Sequence, residues 1–377
     1  MGAKIGIVDA EIIGKSKHRF PNLACMKISA YHKSVGDDVD LLLDYDSICL
    51  YDKVYISKVF TETPVPDHVL TQPNVEYGGT GFFYDKAPPL PCEIEHIKPD
   101  YHLYDKWVEM CTKNWVSRQS LQYYTDFSLG FATRGCFRQC SFCVNKNCTK
   151  STRQGSILEW VDMDRPYICC LDDNVFACPD WREVFKELQA TGKRFQFKQG
   201  CDERLLTDEK CDVLFNKSKW LGDYIFAFDS YKDKDIVVEK LNLIKKHTNK
   251  RCKFYCFCGY NHDEDIYDDQ FWIKDLYELF LRIEILMQYG CLPYIMRHEN
   301  YNNSPFRGMY ITIARWCNQP NFFKKQSLRE YCTLTNGVNS AAYRYLTEFE
   351  NLHPHFKPFF DMKFENVRKI TGGSLNE

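Results

Sequence analysis

Three cysteines, Cys136, Cys140 and Cys143, stand in a C-x3-C-x2-C run inside Thr133-Arg134-Gly135-Cys136-Phe137-Arg138-Gln139-Cys140-Ser141-Phe142-Cys143. Thiolates are soft anionic donors, the type that holds iron–sulfur clusters and zinc. Three of them on a [4Fe–4S] cube leave one iron open to a further ligand. Phe142, just before the third cysteine, can shield a cluster, and Gly135 lets the backbone turn sharply off a strand end. Cys148 follows Cys143 at a spacing of five and keeps a second reading open. In that reading four thiols close an iron–sulfur or zinc site in a non-catalytic nucleic-acid-binding loop.

The loop resembles that of the radical S-adenosylmethionine superfamily, in the spacing of its cysteines and in the aromatic at Phe142. Its Arg-Gly-Cys opening is similar to the branch that contains the methylthiotransferases and the cobalamin-dependent radical enzymes. The resemblance covers roughly residues 127–316. It implies a [4Fe–4S] cluster on Cys136, Cys140 and Cys143, with S-adenosylmethionine on the open iron, and hydrogen abstraction from an unidentified substrate. It also implies a reducing partner such as a flavodoxin or ferredoxin. A third reading keeps the cluster and uses Cys148 or Cys201 as an auxiliary thiol for sulfur insertion.

Such a loop needs a rigid strand before it. Short apolar runs that read as buried strands recur at Phe127–Ala132, Tyr167–Leu171, Arg194–Lys198, Tyr224–Phe228, Lys253–Phe257 and Leu292–Met296. Between them lie amphipathic helical patterns at Pro179–Ala190, Asp208–Asn216, Asp233–His247 and Asp268–Tyr289. Alternating units of this kind predict an α/β fold, a partial (β/α)6 parallel barrel spanning 127–318. Residues 1–70 predict a small Rossmann-like α/β domain, with strands at Lys4–Asp9 and Lys53–Ser57 and a helix from Pro21-Asn22 to Gly36. Residues 71–126, with Gly78-Gly79-Thr80-Gly81 and Ala87-Pro88-Pro89-Leu90-Pro91, read as a linker with short elements, and 319–377 as a C-terminal extension. The glycine cluster lacks the spacing of a phosphate loop and reads as a tight turn.

In parallel sheets, functional groups collect beyond the carboxyl ends of the strands. After the second strand of the predicted barrel come Asp173 and Asn174, where the resemblance implies a hold on the amino group of S-adenosylmethionine; an Asx turn capping the next helix is the bland alternative. After the third come Gln199, a candidate cofactor contact, then Cys201 and Arg204, the candidate catalytic pair. Arg204 suits a carboxylate or ribose, or else a structural pair with Asp202. After the fourth, Asp229 and Ser230 are placed by the resemblance near ribose hydroxyls, and Gly259, Tyr260 and Asn261 after the fifth near adenine. The sixth ends in Arg297, His298 and Asn300, read as the substrate-facing segment, although a lone histidine such as His298 is often structural. Trp316 reads as core.

The first domain is similar to the cobalamin-binding domain of one branch, but the Asp-x-His-x-x-Gly signature that supplies the lower ligand is not met in the first hundred residues. Cobalamin is therefore not expected. The bulk numbers fit a cytoplasmic globular enzyme, with 44% hydrophobic residues, 27% charged residues and a net charge of −2. No apolar run approaches the roughly 18 residues of a membrane span. Nucleic acid could be gripped only by local patches such as Lys245, Lys246, Lys250, Arg251 and Lys253, or Lys324, Lys325 and Arg329. The 19 cysteines, with no secretory signature, are expected as reduced thiols, many of them small buried hydrophobes.

Overall fold

The computed structural model describes residues 2–15, 18–262 and 266–365. The chain divides into two compact units: one runs to Gln199 and adds Ser218–Leu221, the other takes Gly200–Lys217 and resumes at Gly222.

In the first unit the run Ile5–Val8 becomes β1 (Lys4–Asp9), buried because strands on both sides and helices cover it. Its neighbours β2 (Asp38–Leu42), β3 (Lys53–Ser57) and β4 (Val75–Gly78) pair in parallel in the order β2-β1-β3-β4. Alternation sends Ile5 and Ile7 into one core with Leu23, Met26, Trp107 and Tyr124. It sends Val8 to the opposite core with Val54, Ile56 and Val69. The helix Leu23–Ser34 is capped by Asn22, whose side chain accepts from Ala24 N and Cys25 N.

The segment read as a linker holds more structure than expected. It supplies β4 and the helices Asp105–Lys113 and Arg118–Thr125, whose Trp107, Leu121 and Tyr124 complete the core around β1. Gly79 has φ +105, and a Cβ there would lie 2.3 Å from the Lys58 carbonyl oxygen. The glycine cluster is thus a tight turn that lets β4 leave beside the end of β3.

The predicted barrel strands all form. In the first unit β5 (Phe127–Gly130) is followed by the two-residue strands β6 (Thr133–Arg134) and β7 (Thr152–Arg153), antiparallel to each other, then by β8 (Tyr167–Cys170) and β9 (Arg194–Phe197). The order is β5-β8-β9, all parallel. In the second unit β10 (Tyr224–Ala227), β11 (Cys252–Cys258) and β12 (Leu292–Arg297) form another parallel sheet in that order. The ladders therefore make two three-stranded sheets, where one continuous partial barrel was expected.

Arg282, buried on the helix Asp269–Gln288, donates to the carbonyls of Phe228, Asp229 and Phe257 at 2.8, 3.0 and 2.9 Å. It thereby ties the exits of β10 and β11 together. Trp316 is core, as read, with its Nε1–H on the Gln326 carbonyl at 3.0 Å. Among the described residues no helix is long and apolar enough to cross a membrane, and no cysteine is in a disulfide.

Candidate metal centre

The three-cysteine loop leaves β5 and is bracketed by the β6–β7 pair, so both of its ends are held by one short ladder. Asp172, at the exit of β8, is fully buried and accepts from Ala132 N at 3.1 Å, Thr133 N at 2.6 Å and Thr133 Oγ1 at 2.7 Å. Burial pushes its carboxyl up to about 7, against the pull of those three donors. Asp173 then accepts from Gly135 N through one oxygen and from Asn145 Nδ2 through the other, each at 2.7 Å. One carboxylate thus pins the loop just before its first cysteine and just after its third.

Gly135 sits at φ +91, and a Cβ there would fall 2.4 Å from the Lys150 carbonyl oxygen. No other residue fits that turn. Gln139 adopts φ +50 immediately before Cys140, a conformation uncommon outside glycine and suited to a tight ligand loop. Two residues of the segment read as a linker reach this loop: Tyr84 Oη donates to the Phe142 carbonyl at 2.7 Å, and Asp85 receives Lys146 at 3.2 Å and Asn147 at 3.1 Å.

The sulfurs collect amide donors. Cys136 Sγ receives Asn174 Nδ2 at 3.4 Å and Arg138 N at 3.5 Å, and Cys143 Sγ receives Asn145 N at 3.4 Å. N–H groups aimed at sulfur stabilise thiolates, and they are one of the levers that tune a cluster's potential. The Cys143 thiol is pushed up, first by burial and then by the negative charges of Asp173, Cys136 and Cys148, against the Asn145 N–H. Cys148 is half-buried, its Cβ 3.7 Å from where a Gly135 Cβ would stand. Among the described residues no three His, Cys, Asp or Glu side chains group as a site for a single ion. The fit to a cluster rests on the donor set: three thiols on one loop, two of them receiving N–H groups.

The remaining candidates fall in two places. Gln199 is exposed just beyond β9 in the first unit. In the second unit Cys201 is buried, with its N–H on the Ile225 carbonyl at 2.9 Å. Arg204 is engaged as the structural alternative foresaw, with Nε on Asp202 at 2.8 Å and a terminal nitrogen on Asp233 at 2.8 Å. Neighbouring Glu203 is buried and accepts from Ala227 N at 3.1 Å, its carboxyl pushed up to about 8 by burial and by Asp202. Asp229 accepts from Phe257 N at 3.1 Å and is raised to about 6 by burial. Asp229, Ser230, Tyr260 and Asn261 do meet, lining one cavity of about 50 Å³ with Lys274 and Arg282.

At the exit of β12, Arg297 is exposed over the Tyr301 ring, 4.5 Å from its centroid. His298 caps the short helix Glu299–Asn303: its Nδ1 accepts the Asn300 N–H at 3.3 Å while its ring stands edge-on to Phe257 and Tyr260. The structural role of His298 and the backbone of Asn300 are therefore accounted for by one cap.

Asp172, Thr133, Asn145, Tyr84 and Asp85 were missed in the sequence. Only Asp172 carried a signal, an acid directly after an apolar strand and directly before Asp173.

The raised buried acids set a pH dependence. Asp172 (about 7), Glu203 (about 8) and Asp229 (about 6) hold their protons in the folded chain across a range where the unfolded chain has lost them. The folded state then binds more protons, so stability falls as pH rises from about 4.5 to about 8. Urea unfolding is expected to give a midpoint higher at pH 5 than at pH 8; a midpoint that rises over that interval contradicts these assignments.

No family model matches the chain, and no curated protein matches it. Among solved structures the chain is similar to the cobalamin-dependent S-adenosylmethionine radical enzyme OxsB, solved with aqua-cobalamin and S-adenosylmethionine bound, at 12% identity and a TM-score of 0.34. The match covers 95% of this chain and 56% of that one, so the chain spans little more than half the length of OxsB.

Proposed function

We propose that this chain is a radical S-adenosylmethionine enzyme whose cluster is held by Cys136, Cys140 and Cys143. The observation that carries the reading is the pinned three-cysteine loop, with N–H groups directed at Cys136 Sγ and Cys143 Sγ and both its ends tied to Asp173. Cys136, Cys140 and Cys143 would hold a [4Fe–4S] cluster, which would supply the one-electron reduction of S-adenosylmethionine that starts hydrogen abstraction.

The chain's own residues do the positioning. Asp172 fixes the strand end, Asp173 fixes the loop, and Asn174 donates to a ligand sulfur. Phe142, half-buried and held through its carbonyl by Tyr84, directly precedes the third cysteine. In the second unit Asp229, Ser230, Tyr260 and Asn261 line one small polar cavity. A flavodoxin- or ferredoxin-type protein is the proposed electron donor.

Cobalamin is left out of the proposal, because the first unit lacks the histidine of the cobalamin signature. From the last residue of β1 the chain reads Asp9-Ala10-Glu11-Ile12-Ile13-Gly14, the spacing of the cobalamin signature with Glu11 where the histidine would stand. Glu11 is buried and accepts from Val59 N at 3.0 Å and Phe60 N at 3.2 Å, while Asp9 accepts from Tyr104 Oη at 2.7 Å.

Anaerobic reconstitution with iron and sulfide tests the proposal. About four irons per chain are expected, with a reduced-cluster electron paramagnetic resonance spectrum that changes when S-adenosylmethionine is added. Stoichiometric zinc in place of iron, or a spectrum indifferent to S-adenosylmethionine, favours the closed four-cysteine site with Cys148 and overturns the proposal.

A further inference from the structure

Cys252 opens β11, and Cys291 is the residue before β12. The ladder pairs Lys253 with Leu292 and Phe254 with Pro293, so one step back sets Cys252 beside Cys291. Both belong to the inward set, since Phe254, Cys256, Pro293 and Ile295 alternate with them and are buried. Strands paired in a sheet lie about 4.8 Å apart, inside the roughly 4.4–6.8 Å between Cα atoms that a disulfide accepts.

The two thiols are 2% and 1% exposed. Each reaches a carbonyl two residues back, Cys252 Sγ to Lys250 and Cys291 Sγ to Tyr289, both at 3.7 Å. The other cysteines of this sheet stand opposite no cysteine in the register: Cys256 faces Ile295 and Cys258 faces Arg297.

We propose that Cys252 and Cys291 are a modification site, forming a reversible disulfide when the protein meets a small two-electron oxidant of the hydrogen peroxide class. The reaction starts from the Cys291 thiolate, since the thiolate is the form a peroxide oxidises. That thiolate attacks one peroxide oxygen, the O–O bond breaks, and the hydroxide released takes a proton and leaves as water. Cys291 is then a sulfenic acid, the first rung of thiol oxidation. The Cys252 sulfur attacks the Cys291 sulfur, the S–O bond breaks, and the Cys252 proton leaves with the hydroxyl as a second water. One peroxide is reduced to two waters and two thiols are oxidised to one bridge.

The site lies at the entry ends of β11 and β12, whereas Asp229, Tyr260, Arg297 and His298 lie at the exit ends of this sheet. The seven residues of β11, at about 3.3 Å each, separate the two. The bridge therefore fastens the second unit without touching its polar exits, and it stands whether or not the radical reading holds.

The test treats the native protein with hydrogen peroxide, denatures it in acid, alkylates the remaining thiols and maps unreduced peptides. A cross-linked pair containing Cys252 and Cys291, lighter by two hydrogens and restored by dithiothreitol, is expected. The C252S variant is expected to stop at a Cys291 sulfenic acid that dimedone traps. Full alkylation of both residues after peroxide treatment, or bridging of either to a different cysteine, overturns the proposal. Because the wild-type map decides alone, a variant that fails to fold does not blunt the test.

Discussion

Replacing Cys136 with alanine is expected to lower the iron of the reconstituted protein from about four atoms per chain to below about one. Cys136 is the sulfur that two of the observed N–H donors converge on, one of them from the side chain of Asn174. A cube left with two thiolates of this loop has lost the ligand that is most firmly placed. The fold should tolerate the change, because Cys136 is only half-buried and its loss opens no core cavity. Circular dichroism and the unfolding midpoint of C136A are therefore expected to match the parent within about 1 kcal/mol, while the brown chromophore disappears. Full iron retention in C136A would mean that Cys148 serves with Cys140 and Cys143, and the ligand assignment would fail.

Asp172→Ala is expected to act in the opposite way, through the fold first and the metal second. Its carboxyl is the acceptor for two backbone N–H groups and one hydroxyl, all buried. Each donor stranded in the interior costs about 1–3 kcal/mol, so the loss of all three contacts should cost about 3–9 kcal/mol. Against a total stability of about 5–15 kcal/mol that is a large share. The strand end it fixes is the one from which the cysteine loop departs, so iron incorporation should fall together with stability. Thr133→Val removes only the hydroxyl contact and is expected to cost about 1 kcal/mol. Equal effects of the two substitutions would show that the backbone anchors are not what Asp172 supplies.

These outcomes bear on how much of the molecule could be read in advance. The six strands of the predicted barrel were legible because a buried parallel strand is a short uninterrupted apolar run, and Ile168-Cys169-Cys170 and Phe254 to Cys258 are such runs. The metal loop was legible because its chemistry is local: three thiols and a glycine within eight residues of one another.

What escaped was whatever depends on contacts distant in sequence. β4 is four residues bounded by turn-formers, too short for its Val75-Glu76-Tyr77 alternation to announce it. Tyr84 reaches Phe142 across 58 residues, and Asp172 reaches Thr133 across 39. Nor could the sequence say which polar residues at strand exits are occupied by their own neighbours. Arg204 is held by Asp202 and Asp233, and His298 by the helix it caps, whereas Asp229, Ser230, Tyr260 and Asn261 line a common cavity.

The central claim is that the Cys136–Cys143 loop carries a cluster with one iron open to S-adenosylmethionine. Its most direct test is to incubate anaerobically reconstituted protein with S-adenosylmethionine and dithionite and to quantify 5′-deoxyadenosine by mass spectrometry. The account predicts 5′-deoxyadenosine that accumulates with time and is absent from the Cys136→Ala protein. Full cluster occupancy with no 5′-deoxyadenosine above the Cys136→Ala background, under a reductant shown to reduce the cluster, would contradict it.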